Sequence, residues 1–330
     1  MINWYPWLIK PYKDIIYQYQ IGKAHHALLI NTCRGIGVLN LFWAITRWLL
    51  CKNKHGIKSC GKCHDCHLMT SNNHPDWHKV KIKNNSNTLG IEEIRNIIDK
   101  IFYTAQQDGE KVIWLPAISY ITYSGITALL KTLEEPPRNT WFFLINYNSC
   151  KISTTLRSRC FSYTLLPPSE EKGINWLKKN QVCENKILSL TALRITEGAP
   201  LLAKKIIKGI LWSERKLFFL NLENAIHKKD LFSLLPFFKK KTHVIIYIDW
   251  ICFLLFDSIQ WKYNLLSFIK NLDQEKFISY LSLHYTIPFL NNSIQSWIIC
   301  KYKLMHIMGV NYELLLAKQL LTWEKKLFYN

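Results

Sequence analysis

The chain has few acidic residues for its length. It contains 23 Asp and Glu against 43 Lys and Arg in 330 residues, which gives a formal net charge of +20 at pH 7. A surface with this excess of positive charge favours a polyanionic partner such as nucleic acid. The lysines are spread along the chain and do not form one basic block, so a drift in composition caused by AT-rich coding explains the charge equally well.

Long hydrophobic runs, low-complexity linkers and internal repeats are also missing. The longest apolar run, residues 244–256, is interrupted by Asp249 and is shorter than the ~20 residues that span a bilayer, so it predicts a buried helix. The first ten residues lack the pattern of a secretory signal, and we therefore expect a cytoplasmic protein. With 49% apolar and 20% charged residues, the composition excludes a disordered chain.

Strand and helix patterns alternate in the first half of the chain. The strands are predicted at residues 27–30, 77–82, 112–115 and 141–145, and the helices at residues 38–50, 91–101 and 125–133. Strands that alternate with helices form right-handed βαβ units. The sequence therefore predicts an α/β domain whose largely parallel sheet has helices on both faces.

The pattern becomes almost entirely helical after the two prolines at positions 167 and 168. Residues 304–321, for example, predict one long helix. A chain of 330 residues is expected to form two or three domains. We predict an α/β domain over residues 1–167, a small helical domain over residues 168–207 and an all-α bundle over residues 208–330.

Four of the ten cysteines have the spacing of metal ligands. Cys51, Cys60, Cys63 and Cys66 follow the pattern C-x8-C-x2-C-x2-C. Two intervening residues let a tight turn direct both sulfurs at one ion, and four thiolates complete a tetrahedron with no position left for water. The insertion at residues 51–66 therefore predicts a structural zinc site in a reducing compartment.

Three alternatives for this cluster stay open. Cysteine runs of similar spacing also hold iron–sulfur clusters. His55, His64 or His67 could replace one of the sulfurs. The thiols could also be unliganded or form a redox pair, and the zinc content of protein purified under reducing conditions decides between these cases.

A turn that contains glycine joins the first predicted strand to the first long helix, which is the setting of a phosphate-binding loop. When the pattern G-x-x-x-x-G-K-[ST] is laid on the turn, Gly37 fits its second glycine and Gly35 lies inside the loop. Thr32 replaces the first glycine, Val38 the lysine and Leu39 the hydroxyl that binds magnesium. Loss of two charge-assisted contacts of ~1.5–3 kcal/mol each weakens ATP binding by roughly 3–6 kcal/mol, which is about two to four orders of magnitude.

The acidic residues that an ATPase of this kind requires are missing too. Such enzymes carry an Asp–Glu pair directly after a buried strand, where it holds magnesium and polarises the attacking water. After the apolar run at residues 112–115 this chain has Pro116 and Ala117, which can do neither. We therefore expect no hydrolysis and no bound ATP at this chain's own site.

Three segments together resemble the clamp-loader family of AAA+ proteins: residues 128–137, which end in Leu-Glu-Glu-Pro-Pro, residues 141–144, and residues 155–160, which end in Ser-Arg-Cys. The resemblance extends to the segments at residues 4–8, 25–30 and 309–316 and to the four-cysteine insertion. It is dense over residues 1–167 and sparser beyond. Motor subunits of the family keep the lysine and the acidic pair that this chain lacks, so the resemblance is to the family's members that do not hydrolyse ATP.

The resemblance implies a role in DNA replication. By this resemblance the chain belongs to the DNA polymerase III clamp loader, a five-membered ring with gamma/tau motor subunits and a delta subunit. The ring opens the sliding clamp and closes it around primed DNA. The resemblance implies that residues 168–207 form the lid domain and residues 208–330 the collar domain. The polymerase is a DNA-directed nucleotidyltransferase, but no catalysis is expected from this chain itself.

The Ser-Arg-Cys element corresponds to Ser158, Arg159 and Cys160 in this sequence. In the family its arginine reaches into the ATP site of the adjacent motor subunit, so the resemblance implies that Arg159 is an arginine finger acting in trans. The simpler interpretation is that Arg159 pairs with a carboxylate at the sheet edge. Glu134 and Glu135, adjacent before two prolines, are expected to pair at a helix end and to take no part in acid–base chemistry.

Two other functions compete with this one. An active motor ATPase would need chemical groups that are absent at Val38, Leu39, Pro116 and Ala117. An independent zinc-dependent nucleic-acid-binding module would fit the charge and the cysteines, but it leaves the Leu-Glu-Glu-Pro-Pro and Ser-Arg-Cys elements unexplained.

Overall fold

The computed structural model describes residues 3–82, 88–102, 105–107, 109–147, 152–239, 243–307, 309 and 311–328. Val310, which belongs to one of the segments that resemble the clamp-loader family, lies outside these residues. The chain divides into two compact units, Met1–Pro168 and Ser169–Asn330.

The first unit contains a five-stranded sheet. Its strands are β1 (Ala27–Thr32), β2 (Trp77–Lys79), β3 (Lys111–Ala117), β4 (Thr140–Tyr147) and β5 (Phe161–Leu165). They lie in the order β2-β3-β4-β1-β5, and every pair is parallel. Because a parallel connection must cross over, each strand's return path passes through a helix or loop on one face of the sheet.

Among the described residues, six α-helices accompany this sheet. They are α1 (Ile9–Gln20), α2 (Val38–Leu50), α3 (His64–Thr70), α4 (Ile91–Phe102), α5 (Tyr123–Glu134) and α6 (Thr154–Ser158). The predictions for α2, α4 and α5 are confirmed within a few residues. Residues 77–82 form only the three-residue strand β2, which is shorter than predicted.

Both faces of the sheet are covered, because alternate residues of each strand point to opposite sides. On one face Leu29 of β1 belongs to a buried cluster that includes Leu129 of α5. On the other face the ring of Phe42 in α2 lies 5.8 Å from Trp114 and 4.9 Å from Phe143. The predicted α/β architecture with helices on both faces is therefore confirmed.

The second unit is helical throughout its described residues. Its helices are α7 (Glu170–Lys179), α8 (Lys186–Ile195), α9 (Pro200–Lys208), α10 (Ile210–Lys228), α11 (Val244–Lys262), α12 (Glu275–His284), α13 (Ile287–His306) and α14 (Tyr312–Phe328). The main buried cluster joins α10 to α14, with Phe218, Ile248 and Trp297 at its centre. This confirms the helical C-terminal region, while the division at residues 207–208 stays a prediction.

Helix α11 contains the apolar run noted in the sequence. It continues past that run to Lys262 and, by length and composition alone, is long and apolar enough to cross a membrane, with a mean hydropathy of 1.6. Half of that span is buried in the unit, as in the core helix of a globular protein. The predicted burial is confirmed, although the helix is longer than the apolar run suggested.

The prediction of one long helix over residues 304–321 is wrong. Helix α13 ends at His306, and the next residue, Ile307, has extended backbone with φ −96° and ψ 115°. Gly309 then has φ +79°, a left-handed conformation that residues with a β-carbon rarely adopt. Helix α14 begins only at Tyr312, so the apolar residues at helical spacing belong to two helices.

Candidate functional site

The turn between β1 and α2 has the shape expected from its glycines. Gly35 and Gly37 have φ values of +87° and +93°, which residues with a β-carbon adopt only with strain. Gly37 precedes the first residue of α2, and no side chain caps the helix there. The strand, turn and helix of a phosphate-binding loop are therefore present.

The residues at the positions of the phosphate-binding lysine, the metal-binding hydroxyl and the first glycine have different surroundings and contacts here. Val38, at the position of the lysine, is only 4% exposed and forms part of the core. Leu39, at the position of the hydroxyl, presents an apolar side chain that is 44% exposed. Thr32 donates a 3.0 Å hydrogen bond to the carbonyl oxygen of Leu165, which joins β1 to the end of β5.

The segment before α1 is bonded to the turn. The indole Nε1 of Trp7 donates to the carbonyl oxygen of Ile36 at 2.8 Å, and Asn40 Nδ2 donates to the carbonyl oxygen of Asn3 at 2.7 Å. Ile36 itself is fully buried. The sequence pattern around Trp7 indicated the family but not this contact, which depends on packing between distant residues.

None of the described residues that directly follow β3 carries a carboxylate. Pro116 and Ala117 complete the strand, and the residues from there to position 122 are all uncharged. A cation lies at this edge of the sheet, since the guanidinium of Arg34 donates to the hydroxyl of Tyr120 at 2.7 Å and lies 5.3 Å from the ring centre of Tyr147. Magnesium needs oxygen ligands, so this arrangement does not favour it.

Arg159 follows the short helix α6 and is partly exposed. Its Nη2 forms an ion pair with Glu134, the last residue of α5. Its Nη1 donates to the carbonyl oxygen of Thr155 at 2.9 Å and contacts Ser158 Oγ at 3.4 Å. The pairing with a carboxylate that the sequence raised as the simpler interpretation is thus present, and it involves Glu134 of the Leu-Glu-Glu-Pro-Pro element.

The neighbours of Arg159 differ in exposure. Cys160 is buried, and burial raises the pKa of its thiol to about 12, so it does not supply a reactive thiolate. Ser158 is exposed and donates to the carbonyl oxygen of Thr155 at 3.0 Å. Arg157 lies two residues before Arg159 on α6 and is more exposed.

The tripeptide Gly198-Ala199-Pro200 leads into α9 and contains no arginine. The nearby Arg194 is engaged within the second unit. It forms a bidentate ion pair with Glu170, with Nε 2.8 Å from Oε1 and Nη2 3.2 Å from Oε2. Its Nη1 donates to the carbonyl oxygen of Ile269. Its guanidinium therefore holds helices together.

The four cysteines of the insertion converge. Their sulfurs all lie within 4.8 Å of one another, with Cys51 Sγ 3.5 Å from Cys60 Sγ and 3.9 Å from Cys63 Sγ, and Cys60 Sγ 3.9 Å from Cys66 Sγ. A tetrahedron of Zn–S bonds of about 2.3 Å has sulfurs roughly 3.8 Å apart. All four cysteines are free thiols. The group could therefore hold a metal ion.

Backbone donors and burial act in opposite directions on these thiols. The amides of Lys62 and Cys63 donate to Cys60 Sγ at 3.4 and 3.3 Å and lower the pKa of Cys60 to about 6. Burial raises the pKa of Cys66 to about 12, and a bound cation would offset that burial by stabilising the thiolate. Among the described residues, no histidine nitrogen belongs to the convergent group, which leaves sulfur as the donor set.

The insertion is fixed to the rest of the first unit. Trp48 Nε1 donates to the carbonyl oxygen of Gly56 at 2.9 Å, and the hydroxyl of Tyr12 donates to that of Ile57 at 2.7 Å. Gly61 has φ +76°, and a β-carbon there would meet Arg47 at 3.2 Å. The turn that aims Cys60 and Cys63 at one point therefore requires glycine.

Two family models match the chain. One, described as DNA polymerase III, delta subunit, covers residues 9–169, and another, described as DNA polymerase III, delta subunit, C terminal, covers residues 210–325. Curated relatives named DNA polymerase III subunit delta' match almost the full length. That of Buchnera aphidicola subsp. Acyrthosiphon pisum is 50% identical over 99% of both chains, and that of Escherichia coli is 33% identical over 98% of this chain and 96% of its own.

Similarity to DNA polymerase III gamma proteins covers less of the chain or is weaker. DNA polymerase III subunit gamma of Buchnera aphidicola subsp. Schizaphis graminum is 36% identical over 50% of this chain and 45% of its own. Among solved structures, a DNA polymerase III gamma subunit-related protein from Thermotoga maritima is 16% identical, with a TM-score of 0.46 over 94% of this chain and 98% of that chain.

The parallel sheet with its altered phosphate-type turn, the helical second unit and these matches define a clamp-loader protein of the AAA+ class. Its similarity to the relatives over the full chain is specific enough to go further. The chain belongs to the family of DNA polymerase III subunit delta'.

Proposed function

We propose that this clamp-loader subunit does not hydrolyse ATP and that it supplies Arg159 as an arginine finger to the ATP site of an adjacent motor subunit. The chain acts within the DNA polymerase III clamp loader, which loads the sliding clamp onto primed DNA during replication. The observation that carries the proposal is that the first unit combines an altered phosphate-type turn with an accessible arginine. A buried valine, Val38, replaces the lysine after Gly37, and no acid directly follows β3 in the sequence, while an arginine in the family's Ser-Arg-Cys position is partly exposed.

The first half of the proposal rests on chemistry. Without an ammonium group at Val38 and without acids after β3, neither the phosphates nor magnesium meets the partners that ATP hydrolysis needs. Arg34 places a positive charge at the same edge of the sheet, but its guanidinium is occupied by two tyrosines. An active motor ATPase is therefore the weaker alternative.

The second half rests on what a guanidinium does for phosphoryl transfer. Placed on the γ-phosphate, it offsets charge that spreads over the equatorial oxygens, and such a finger increases the rate by ~10³–10⁵. Arginine suits this task because its planar fork stays charged and matches phosphate geometry. A finger that comes from a neighbour makes hydrolysis depend on assembly of the ring, which gives a reason to keep a subunit without catalytic groups of its own.

The remaining assignments follow from family membership. We infer gamma/tau motor subunits and a delta subunit as partners in a five-membered ring, with the sliding clamp and primed DNA engaged by the whole complex. The four-cysteine group takes zinc in a structural role, since a closed set of four thiolates leaves no position for substrate. A reducing cytoplasm suits both the free thiols and a replication function.

The test is the ATPase rate of the reconstituted clamp loader in the presence of clamp and primed DNA. For Arg159→Ala, turnover at the interface that this chain serves falls by ~10³–10⁵. The total ATPase rate of the loader then falls by the contribution of that site. It falls by most of its value if the sites hydrolyse ATP in a fixed sequence. Arg157→Ala is the matched control, because it removes an exposed arginine from α6, two residues before Arg159. A full rate with Arg159→Ala, in a complex that still contains the chain, refutes the finger.

A further inference from the structure

Arg159, which follows α6, forms an ion pair with Glu134 at the end of α5. Glu134 is the final residue of α5, where the carbonyl end of the helix disfavours a negative charge. A carboxylate at that position therefore needs a nearby cation. Arg159 supplies it, across 25 residues of sequence, through its Nη2 atom.

The guanidinium is held from two directions. Nη2 meets the Glu134 carboxylate, and Nη1 donates to the carbonyl oxygen of Thr155 at 2.9 Å and to Ser158 Oγ at 3.4 Å. The contacts come from the carboxyl end of α5 and from α6, so both helices fix the plane of the guanidinium. An arginine has five N–H donors, and these contacts use three of them; of the other two, Nε is buried, so one Nη2 hydrogen is left for an anion.

The same pair contributes little to folding. The Arg159 side chain is 29% exposed and that of Glu134 is 50% exposed. Solvent screens ion pairs at such positions, and their net contribution to stability is small. What the pair does provide is order, because a free arginine side chain samples many rotamers and loses that freedom when it binds.

We propose that Glu134 is a positioning residue for Arg159: it holds the guanidinium in one orientation before the neighbouring ATP site closes on it. The inference rests on the proposed finger function and adds to it the residue that orients the finger. Glu134 does not touch the nucleotide and acts only through Arg159. The side chain of Glu135, the next residue, lines the groove between α4 and α5 and is absent from the contacts of Arg159.

The experiment compares four variants in the reconstituted loader with clamp and primed DNA. Glu134→Gln keeps the shape of the side chain and removes its charge. We expect its kcat to fall towards that of Arg159→Ala, by up to the ~10²-fold that a 1 Å misplacement can cost at the affected interface, with the KM for ATP unchanged. Glu135→Gln, the adjacent exposed acid, keeps the full rate. In the double variant Arg159→Ala with Glu134→Gln, the rate equals that of Arg159→Ala alone, because Glu134 has nothing left to orient.

Each outcome separates the two proposals. If Arg159→Ala keeps full activity, the finger function is wrong. If Arg159→Ala is slow but Glu134→Gln matches or exceeds the wild-type rate, the finger stands and positioning by Glu134 is wrong. A further loss in the double variant also refutes positioning, since it shows that Glu134 acts elsewhere.

Measurements on the unassembled chain distinguish a loss of positioning from a loss of folding. In Glu134→Gln the thermal unfolding midpoint and incorporation into the loader stay at wild-type values, while the NMR signals of the Arg159 guanidinium exchange faster with water. Glu134→Asp keeps the charge on a shorter side chain and should restore part of the rate lost in Glu134→Gln. If the guanidinium signals are the same in wild type and Glu134→Gln, the positioning role fails irrespective of ATPase rates.

Discussion

The indole nitrogen of Trp7 lies 2.8 Å from the carbonyl oxygen of Ile36, so a residue ahead of α1 is hydrogen-bonded to the turn where an ATPase of this class holds phosphate. The turn keeps its two left-handed glycines, and its backbone is tied to the protein's own N-terminal segment. The turn thus keeps the backbone shape of a phosphate-binding loop without that loop's lysine and hydroxyl side chains. The loop survives as a structural connection between β1 and α2.

We expect the isolated chain to bind ATP very weakly. The contacts absent at Val38 and Leu39 correspond to roughly 3–6 kcal/mol, or about two to four orders of magnitude in affinity. A titration with a fluorescent ATP analogue and magnesium measures this, with a motor subunit of the same loader as the positive control. Micromolar binding by this chain alone would contradict the prediction and revive the motor alternative.

We expect one zinc ion per chain after purification under reducing conditions. Cys63→Ser removes one of four thiolates and should reduce the bound metal to near zero, because three sulfurs no longer close the tetrahedron. Cys183→Ser is the control, since Cys183 lies in the second unit and its Sγ contacts only the carbonyl oxygen of Asn185 at 3.5 Å among the bonds that the structure describes for it. Atomic absorption or a chromogenic chelator gives the ratio. Wild-type protein without zinc, or with iron, contradicts the assignment.

We expect Arg215→Ala to destabilise the second unit strongly. Arg215 is fully buried, forms an ion pair with Asp273, donates to Asn271 Oδ1 at 2.7 Å and stacks 4.7 Å from the ring centre of Phe219. Removing one partner of a buried pair leaves the other charge uncompensated and costs about 3–5 kcal/mol. Chemical denaturation of the full chain measures the loss.

Lys216→Ala is the matched control for that prediction. Lys216 is the next residue of α10 but is exposed, so its removal should change the unfolding free energy by less than about 0.5 kcal/mol. Equal effects of the two substitutions would show that the buried network around Arg215 does not stabilise the unit.

The fold was largely predictable because local pattern and tertiary packing agree in it. Residues 38–50 form a helix with those same bounds, since their apolar faces are buried on the sheet. Strand β5, Phe161–Leu165, was not predicted, because most of its residues are exposed and do not alternate. The break at Gly309 was also missed, since the apolar spacing continues through it while the backbone does not.

The residue types of the candidate site were predictable from the sequence, but the contacts between side chains distant in the sequence were not. The spacing of the cysteines was enough to indicate a convergent group, because short turns determine where their sulfurs point. The partner of Arg159 was not predictable by name, since it lies on another helix and depends on how α5 and α6 pack. The contact of Arg34 with Tyr120 and Tyr147 was missed for the same reason, because these side chains come from the turn before α2, the 3-10 turn after β3 and the end of β4.

The inward position of Val38 has an evolutionary consequence. A lysine introduced there by one codon change would place its ammonium group where the structure has a side chain that is only 4% exposed, and an unpaired charge in that environment is costly. Recovery of ATP turnover therefore needs several coordinated changes, in the helix start, the neighbouring hydroxyl and the acids, before any of them is useful. If the proposed absence of ATP turnover holds, a single substitution at Val38 does not restore it.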